Sequence, residues 1–318
     1  MNRQLLISHK IGANNFDIIR FFLASAVIFC HCFVIYYGYE PFTKKEPFMV
    51  LSQEQISIGS VAVDFFFIIS GFLIVKSFEY SKTDSQYLIK RILRIYPGFI
   101  VAFLISILLA GFIGELRHNS IGAYWQYLLN LHKKQELVHL VTLQSPNEKL
   151  YFKNMPQTGL NNSLWTIQYE FICYLLVPVM GFAGFFRRRW LFIAAFFAAY
   201  ALLFLQVKGF ILPYKESNNW FLSNTFHFPR FLTYFFSGAC FYVYRHKIIK
   251  SRWLAALTFI CIAFSFLFVK CIDQVLPIAG SYLLFYIAYN PGLEFSDFSK
   301  KGDYSYGIYL YGGRFSRR

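Results

Sequence analysis

The sequence predicts an all-α fold, a polytopic bundle of transmembrane helices, and three observations predict it. Of the 318 residues, 57% are hydrophobic and 21% aromatic, and only 15% are charged. A soluble domain is nearer half apolar with about a quarter charged. The apolar residues also fall in runs long enough, at about 1.5 Å per residue, to cross a bilayer core of about 30 Å as helices. The basic residues behind the net charge of +15 sit in short clusters between those runs. That arrangement reads as topology and lipid contact, and it predicts no nucleic-acid partner. No secretory signal with a small-residue cleavage site precedes the first run, so that run is expected to stay in the mature chain. The cysteines, Cys30, Cys32, Cys173, Cys240, Cys261 and Cys271, lie in or at the edges of apolar runs without a Cys-x-x-Cys pair. Buried structural thiols are expected, and no disulfide framework or metal site.

In chain order, a short basic head with Arg3 and Lys10 precedes a first span over about 16–37. A polar stretch with Glu40, Lys44, Lys45, Glu46 and Glu54 leads to a second span, about 58–76. A basic, partly amphipathic segment carrying Lys76, Lys82, Lys90, Arg91 and Arg94 ends at Pro97, where a third span, about 97–114, begins. Residues 115–161 form the longest polar connection. A short helix around Tyr124–Val141, with Trp125, His132 and His139, is too polar to span and suits the membrane interface. A fourth span, about 163–186, ends at Arg187, Arg188 and Arg189, and later spans are expected near 190–207, 226–244, 253–270 and 274–290. The last apolar stretch, Tyr304 to Tyr311, is too short to cross, which leaves about eight or nine spans. With the N-terminus in the cytoplasm, the clusters Lys90/Arg91/Arg94, Arg187–Arg189, Arg245/Lys247/Lys250/Arg252 and Lys300/Lys301 all fall inside.

The first span carries two groups foreign to oil, Arg20 near its start and His31 well inside it. Eleven helical steps of about 100° make about three turns, so both project from one face, roughly 16 Å apart along the axis. Ionisable residues within a span are costly and mark a functional site by default. Asp64 in the second span and Glu170 in the fourth are the two acids placed deep in a membrane run. With His31 they fall at about 9–11 Å from the outer face by the helical rise, which predicts one shared polar pocket. Adjacent Cys30, His31 and Cys32 diverge by about 100° per residue and cannot converge on one metal.

Six segments in order carry a resemblance. They are Arg20 followed after ten residues by His31; Asp64-Phe-Phe-Phe-Ile-Ile-Ser-Gly-Phe-Leu73; Lys90-Arg-Ile-Leu-Arg-Ile-Tyr-Pro97; Ser163-Leu-Trp-Thr-Ile-Gln-Tyr-Glu170; Arg230-Phe-Leu-Thr-Tyr-Phe-Phe-Ser-Gly238; and Gly302-Asp-Tyr-Ser-Tyr-Gly-Ile-Tyr-Leu310. Together, over about 12–311, they resemble the acyltransferase-3 family, bacterial integral-membrane O-acyltransferases of surface polysaccharides, lipopolysaccharide O-antigen, Nod factors or peptidoglycan. The resemblance implies about ten spans, a bacterial inner-membrane location, and an acyl group, usually acetyl from acetyl-CoA, taken on the cytoplasmic side. Delivery is to a glycan hydroxyl on the outer side. Arg20, His31 and the Phe-Phe-x-x-Ser-Gly segment fall where the family's essential residues lie, and Glu170 matches the acid after Ser-Leu-Trp. Arg91 and Arg94 match its cytoplasmic basic motif. The end, Tyr311-Gly-Gly-Arg-Phe-Ser-Arg-Arg318, departs from the family's further apolar span, so residues 1–318 resemble one acyltransferase-3 membrane domain in a truncated or frameshifted copy.

Acyl transfer from a thioester to an alcohol needs a base for the hydroxyl proton and a group to hold the oxyanion. His31 is the candidate base, with Asp64 or Glu170 to orient it. For both acids a buried ion pair is an equally open reading. Arg20 suits a pair with Asp17 or a hold on the donor. Arg91 and Arg94, three residues apart on a helix, suit the phosphates of coenzyme A, with Lys90 beside them, and an ordinary positive-inside anchor is the alternative. Ser70, Trp165 and Arg230 are the substrate-binding candidates, Ser70-Gly71 lets helix backbones approach closely, and Trp220 and Tyr214 precede Arg230 near the outer face. A transporter of a glycan or acyl compound and an inactive remnant are the competing classes. The expected partners are the lipid bilayer, acyl-CoA and a glycan acceptor.

Overall fold

The structure, a computed structural model, describes residues 14–38, 42–116, 129, 133–146, 163–211, 224–290 and 307. Helix α1, Phe16–Tyr37, starts where the Asn15 amide donates to the Ala288 carbonyl at 2.9 Å and stops at Gly38, whose φ of 81° breaks the helix. The short α2, Pro47–Leu51, has Pro at its first turn and Glu46 as its cap. Glu46 is fully buried because it serves two helices: one oxygen accepts from the Met49 amide at 2.7 Å, the other from the Ile58 amide at 3.3 Å. The second of these opens α3, Ile58–Glu79, which Ser57 also caps through the Ser60 amide at 3.1 Å.

Helix α4 runs unbroken over Asp84–Leu116 with Pro97 inside it. The sequence alone predicts a span that begins at Pro97. The helix continues because one missing N–H costs a single hydrogen bond, which a membrane helix held by its neighbours tolerates. The consequence is functional, since Arg91 and Arg94 now stand on the spanning helix itself. Helix α5, Lys133–Val141, is the short polar helix expected in the long connection. A 3₁₀ turn, Leu164–Thr166, leads into α6, Ile167–Phe182, and α7 follows at Trp190–Val207. A second 3₁₀ turn, Thr225–His227, enters α8, Phe228–Val243, followed by α9, Arg252–Leu267, and α10, Ile272–Ala288.

Five helices, α1, α3, α4, the run Leu164–Phe182 and α7, are long and apolar enough to cross a membrane among the described residues. Helices α9 and α10 are apolar but shorter. The all-helical expectation holds. The motif Gly302–Leu310, apart from Gly307, and Trp125, His132, Tyr214 and Trp220 lie outside the described residues.

Helix α3 is the axis of the bundle, packed on α1, α6 and, most extensively, α8. Two glycines make that last crossing: a Cβ on Gly71 would overlap the Phe235 carbonyl oxygen, and one on Gly238 the Ile68 carbonyl oxygen. The expectation for Ser70-Gly71 is met, because small residues are what bring membrane helices to backbone contact. Just outward, Phe67 and Phe231 stack with centroids 4.3 Å apart and planes 7° from parallel. In α10, residues Leu276–Gly280 are wound as a π-helix. Ser237 of α8 donates to the Pro277 carbonyl at 2.7 Å, as does Ser281, so the carbonyl is satisfied where the winding loosens.

The cysteines differ from expectation. All six are free thiols, but only Cys30 and Cys173 are buried, and Cys261 is exposed on α9, where Leu257, Phe259, Ile260 and Phe264 are exposed too.

Replacing Gly71 by Val sets a side chain against backbone, which cannot rotate away. The variant is expected to lose about 1–3 kcal/mol of stability, read as a lower midpoint of thermal unfolding in detergent. An unchanged midpoint would show that the α3–α8 crossing is looser than described.

Candidate functional site

Helices α1, α3, α4 and α6 leave between them a cleft of about 760 Å³, part of it open to solvent. Arg20, Ser70, Arg91, Arg94, Thr166, Glu170 and Tyr174 supply its polar lining, and Val63, Phe66, Phe67, Leu73, Ile74 and Ile95 its apolar wall. Five of the sequence candidates thus meet in one place: Arg20, Ser70, Glu170, Arg91 and Arg94. The lining extends along α3 from Val63 to Ile74, about 16 Å at the helical rise.

Each polar group is held. Arg20 pairs with Asp17 at 3.5 Å, one turn earlier on α1, as the sequence suggested. Arg91 donates to Ser77 Oγ at 3.1 Å and lies over the rings of Tyr87 and Tyr174 at 5.8 and 5.9 Å. Its Nε is buried without a hydrogen-bond partner among the described residues. Glu170 accepts from the Tyr174 hydroxyl, and Ser70 is buried on the facing wall of α3. Arg94, one turn along α4 from Arg91, is exposed at the surface end of the same lining. Lys90 is exposed and outside the lining, because its neighbour in sequence is rotated about 100° around the helix.

The predicted meeting of His31, Asp64 and Glu170 does not form. Asp64 is fully buried and bound in a two-pronged ion pair to Arg230, with Nε to Oδ1 at 2.8 Å and Nη2 to Oδ2 at 2.7 Å. Its partner is therefore an arginine of α8, and the buried-ion-pair reading describes its geometry. Glu170 faces the cleft, and His31, half-buried on α1, makes no side-chain hydrogen bond among the described residues.

The levels differ because the helices do not end at one height. Gly59 packs on Cys30, so the end of α1 runs outward past the start of α3, and His31 stands near Ile58, about 9 Å outward of Asp64. Gly181 packs on Phe78, so Glu170 stands near Phe67, about 4–5 Å inward of Asp64. From the end at which α1 starts to the end at which α3 starts, the polar groups run Arg91 and Arg94, then Tyr174, Ser70 and Glu170, then Thr166, with His31 beyond on the Arg20 face of α1.

At the outer end Trp165 contacts His227 at 4.7 Å and Phe231 at 5.6 Å between ring centroids. The chain after α5 hooks onto this end: Tyr96 donates to the Val141 carbonyl at 2.8 Å, and Gln168 to the Thr142 carbonyl at 2.6 Å. Leu143 is buried there with a φ of 59°, an uncommon conformation for a branched side chain. Burial holds the His139 imidazole below its ordinary range.

Sequence reasoning missed Tyr174 and His227. For Tyr174 a signal existed, its i,i+4 spacing from Glu170 on one helix face. Nothing local marked His227, which becomes part of the site end only when α8 packs on α6.

The fold and cleft define a multi-pass helical membrane protein with an internal site that combines three arginines with one carboxylate. The family model described as an acyltransferase domain, acyltransferase-3, matches residues 14–311, and the chain belongs to that family. It is an acyltransferase. The chain is 30% identical to nodulation protein 10 of Rhizobium leguminosarum bv. viciae, over 95% of this chain and 83% of that protein. It is 29% identical to the O-acetyl transferase of Shigella phage Sf6, over 54% of this chain and 46% of that one. No solved structure matches.

Neutralising one member of the Asp64–Arg230 pair strands the other charge in a medium with no water. Asp64→Asn is expected to cost about 3–5 kcal/mol, and the double change Asp64→Leu/Arg230→Met to recover most of it. Unfolding midpoints of the three proteins in detergent check this, and a double variant no more stable than Asp64→Asn would mean that the ion pair is not what holds the two groups.

Proposed function

We propose that the protein is a membrane O-acyltransferase that takes an acyl group, acetyl by preference, from acyl-CoA and delivers it to a hydroxyl of a cell-surface glycan. The carrying observation is the cleft, in which the cations of α1 and α4 and the acid of α6 share one lining that extends about 16 Å along α3. An anion approaching from the cytoplasm meets Arg91 and Arg94, whose forked donors suit the phosphates of coenzyme A. The pantetheine arm then lies along the apolar wall from Ile74 to Val63, with Ser70 among its polar contacts. Carrying the thioester outward in this way needs no movement of coenzyme A across the bilayer.

At the outer end the glycan hydroxyl attacks the thioester carbonyl. A C–O bond forms, the C–S bond breaks, and the hydroxyl proton passes to the base and then to the departing thiolate. His31 is the base in this reading, the role that the chemistry of an imidazole suggests, and it lies beyond the cleft on the face from which Arg20 enters. Trp165, held by His227 and Phe231, and Arg230, held by Asp64, form the rim facing the acceptor. The acetyl preference follows the name of the phage relative. The location proposed is the cytoplasmic membrane of a bacterium with the N-terminus inside, and the positive clusters support that orientation.

Two variants check the assignment in membrane vesicles supplied with radiolabelled acetyl-CoA. His31→Ala is expected to lower transfer by about 10²–10⁴-fold while membrane insertion is unchanged, and retained transfer would exclude it as base. Arg91→Ala/Arg94→Ala is expected to raise the donor KM by about tenfold or more, the scale of lost charge-assisted hydrogen bonds. An unchanged KM returns both arginines to a topological role, and flux of an unmodified glycan in place of transfer would establish a carrier.

A further inference from the structure

Tyr174 lies against three of the cleft's polar groups, Glu170, Ser70 and Arg91. Its hydroxyl donates to Glu170 Oε1, one turn back on α6, and lies beside Ser70. Its ring lies under the Arg91 guanidinium at 5.9 Å. Its carbonyl accepts from the Tyr87 hydroxyl at 2.9 Å, which ties this turn of α6 to the helix that carries Arg91. The side chain is 2% exposed and lines the cleft, so neither its ring nor its hydroxyl has freedom to move away.

We propose that Tyr174 is a positioning residue for acyl transfer, fixing the Glu170 carboxylate through its hydroxyl and aligning Arg91 through its ring. This rests on the acyltransferase reading above. A carboxylate offers two oxygens, and the phenol occupies one of them, so the rotation of the group is set and the second oxygen is left for the cleft. A hydrogen bond to an ionised acceptor is strong where water is excluded. The ring supplies a separate attraction, the electron-rich face beneath a guanidinium. One residue thereby holds the anion-binding end and the acid at fixed separation, so a donor gripped by its phosphates is presented to Glu170 in one register.

The two functions separate chemically, because phenylalanine keeps the ring and removes the hydroxyl. In the full chain reconstituted in lipid nanodiscs, Tyr174→Phe is expected to lower kcat for acetyl transfer about 10- to 100-fold, the scale of one hydrogen bond to a charged group. Its donor KM and its affinity for coenzyme A, measured calorimetrically, are expected to stay at wild-type values. Tyr174→Leu is expected to show the same kcat loss and, in addition, about three- to tenfold weaker binding of coenzyme A. Because Tyr174 acts through Glu170, the double variant Glu170→Gln/Tyr174→Phe is expected to be no slower than Glu170→Gln alone. A wild-type rate in Tyr174→Phe, or a double variant slowed by the product of the two single losses, overturns the proposal. The Tyr174→Phe and double-variant measurements decide it even where Tyr174→Leu does not fold. A wild-type protein that transfers no acyl group overturns the acyltransferase reading instead. Coenzyme A binding then still judges the ring, and equal affinity in Tyr174→Leu and wild type refutes its role.

Discussion

Within a bilayer a charge has no water to turn to, and the bundle is arranged around that constraint. Asp64 is fully buried, and both its oxygens are taken by the guanidinium of Arg230 at 2.7 and 2.8 Å. The pair joins α3 to α8 directly outward of the glycine crossing at Gly71 and Gly238, where the backbones touch. Close packing without the pair would leave a stranded ion, and the pair without close packing would be open to lipid. Since α3 is the helix on which α1, α6 and α8 all pack, its fixed position against α8 sets the width of the gap on its opposite side.

That gap is the cleft. Arg20 is paired with Asp17, whereas Arg91 has no carboxylate at ion-pair distance among the described residues. Arg91 is held instead by a serine hydroxyl and two aromatic faces, contacts that steady a guanidinium while leaving its charge unspent. Glu170 is likewise held by a phenol, and no cation stands at hydrogen-bond distance from it among the described residues. Among the described residues two arrangements of charge stand side by side, a closed pair that fastens helices and a more loosely held lining along the cleft. The difference between them lies in which partner the neighbouring helix offers.

Much of this was legible in the residues. The all-helical membrane class follows from apolar runs of spanning length, and the Arg20–Asp17 pair from their i,i+3 spacing. The close approach at Gly71 follows from a small residue in the middle of a span. The segments around Arg20, Ser70, Arg91 and Glu170 were singled out, and those residues do line one cleft. Depth was not legible, because counting inward from each span end assumes that neighbouring helices end at the same height. Gly59 facing Cys30 shows that α1 and α3 do not. Local propensity makes Pro97 a boundary, and tertiary support for α4 overrides it.

The sequence by itself determined that the chain lives in a membrane as helices, and which ionisable residues it carries into the apolar interior. Both are properties of composition and of helical period, which need no knowledge of neighbours. Only the tertiary structure decided that Asp64 belongs to Arg230 and Glu170 to Tyr174. Pairing between helices depends on rotation about each axis and on vertical offset, and a single helix carries no information about either until another packs against it.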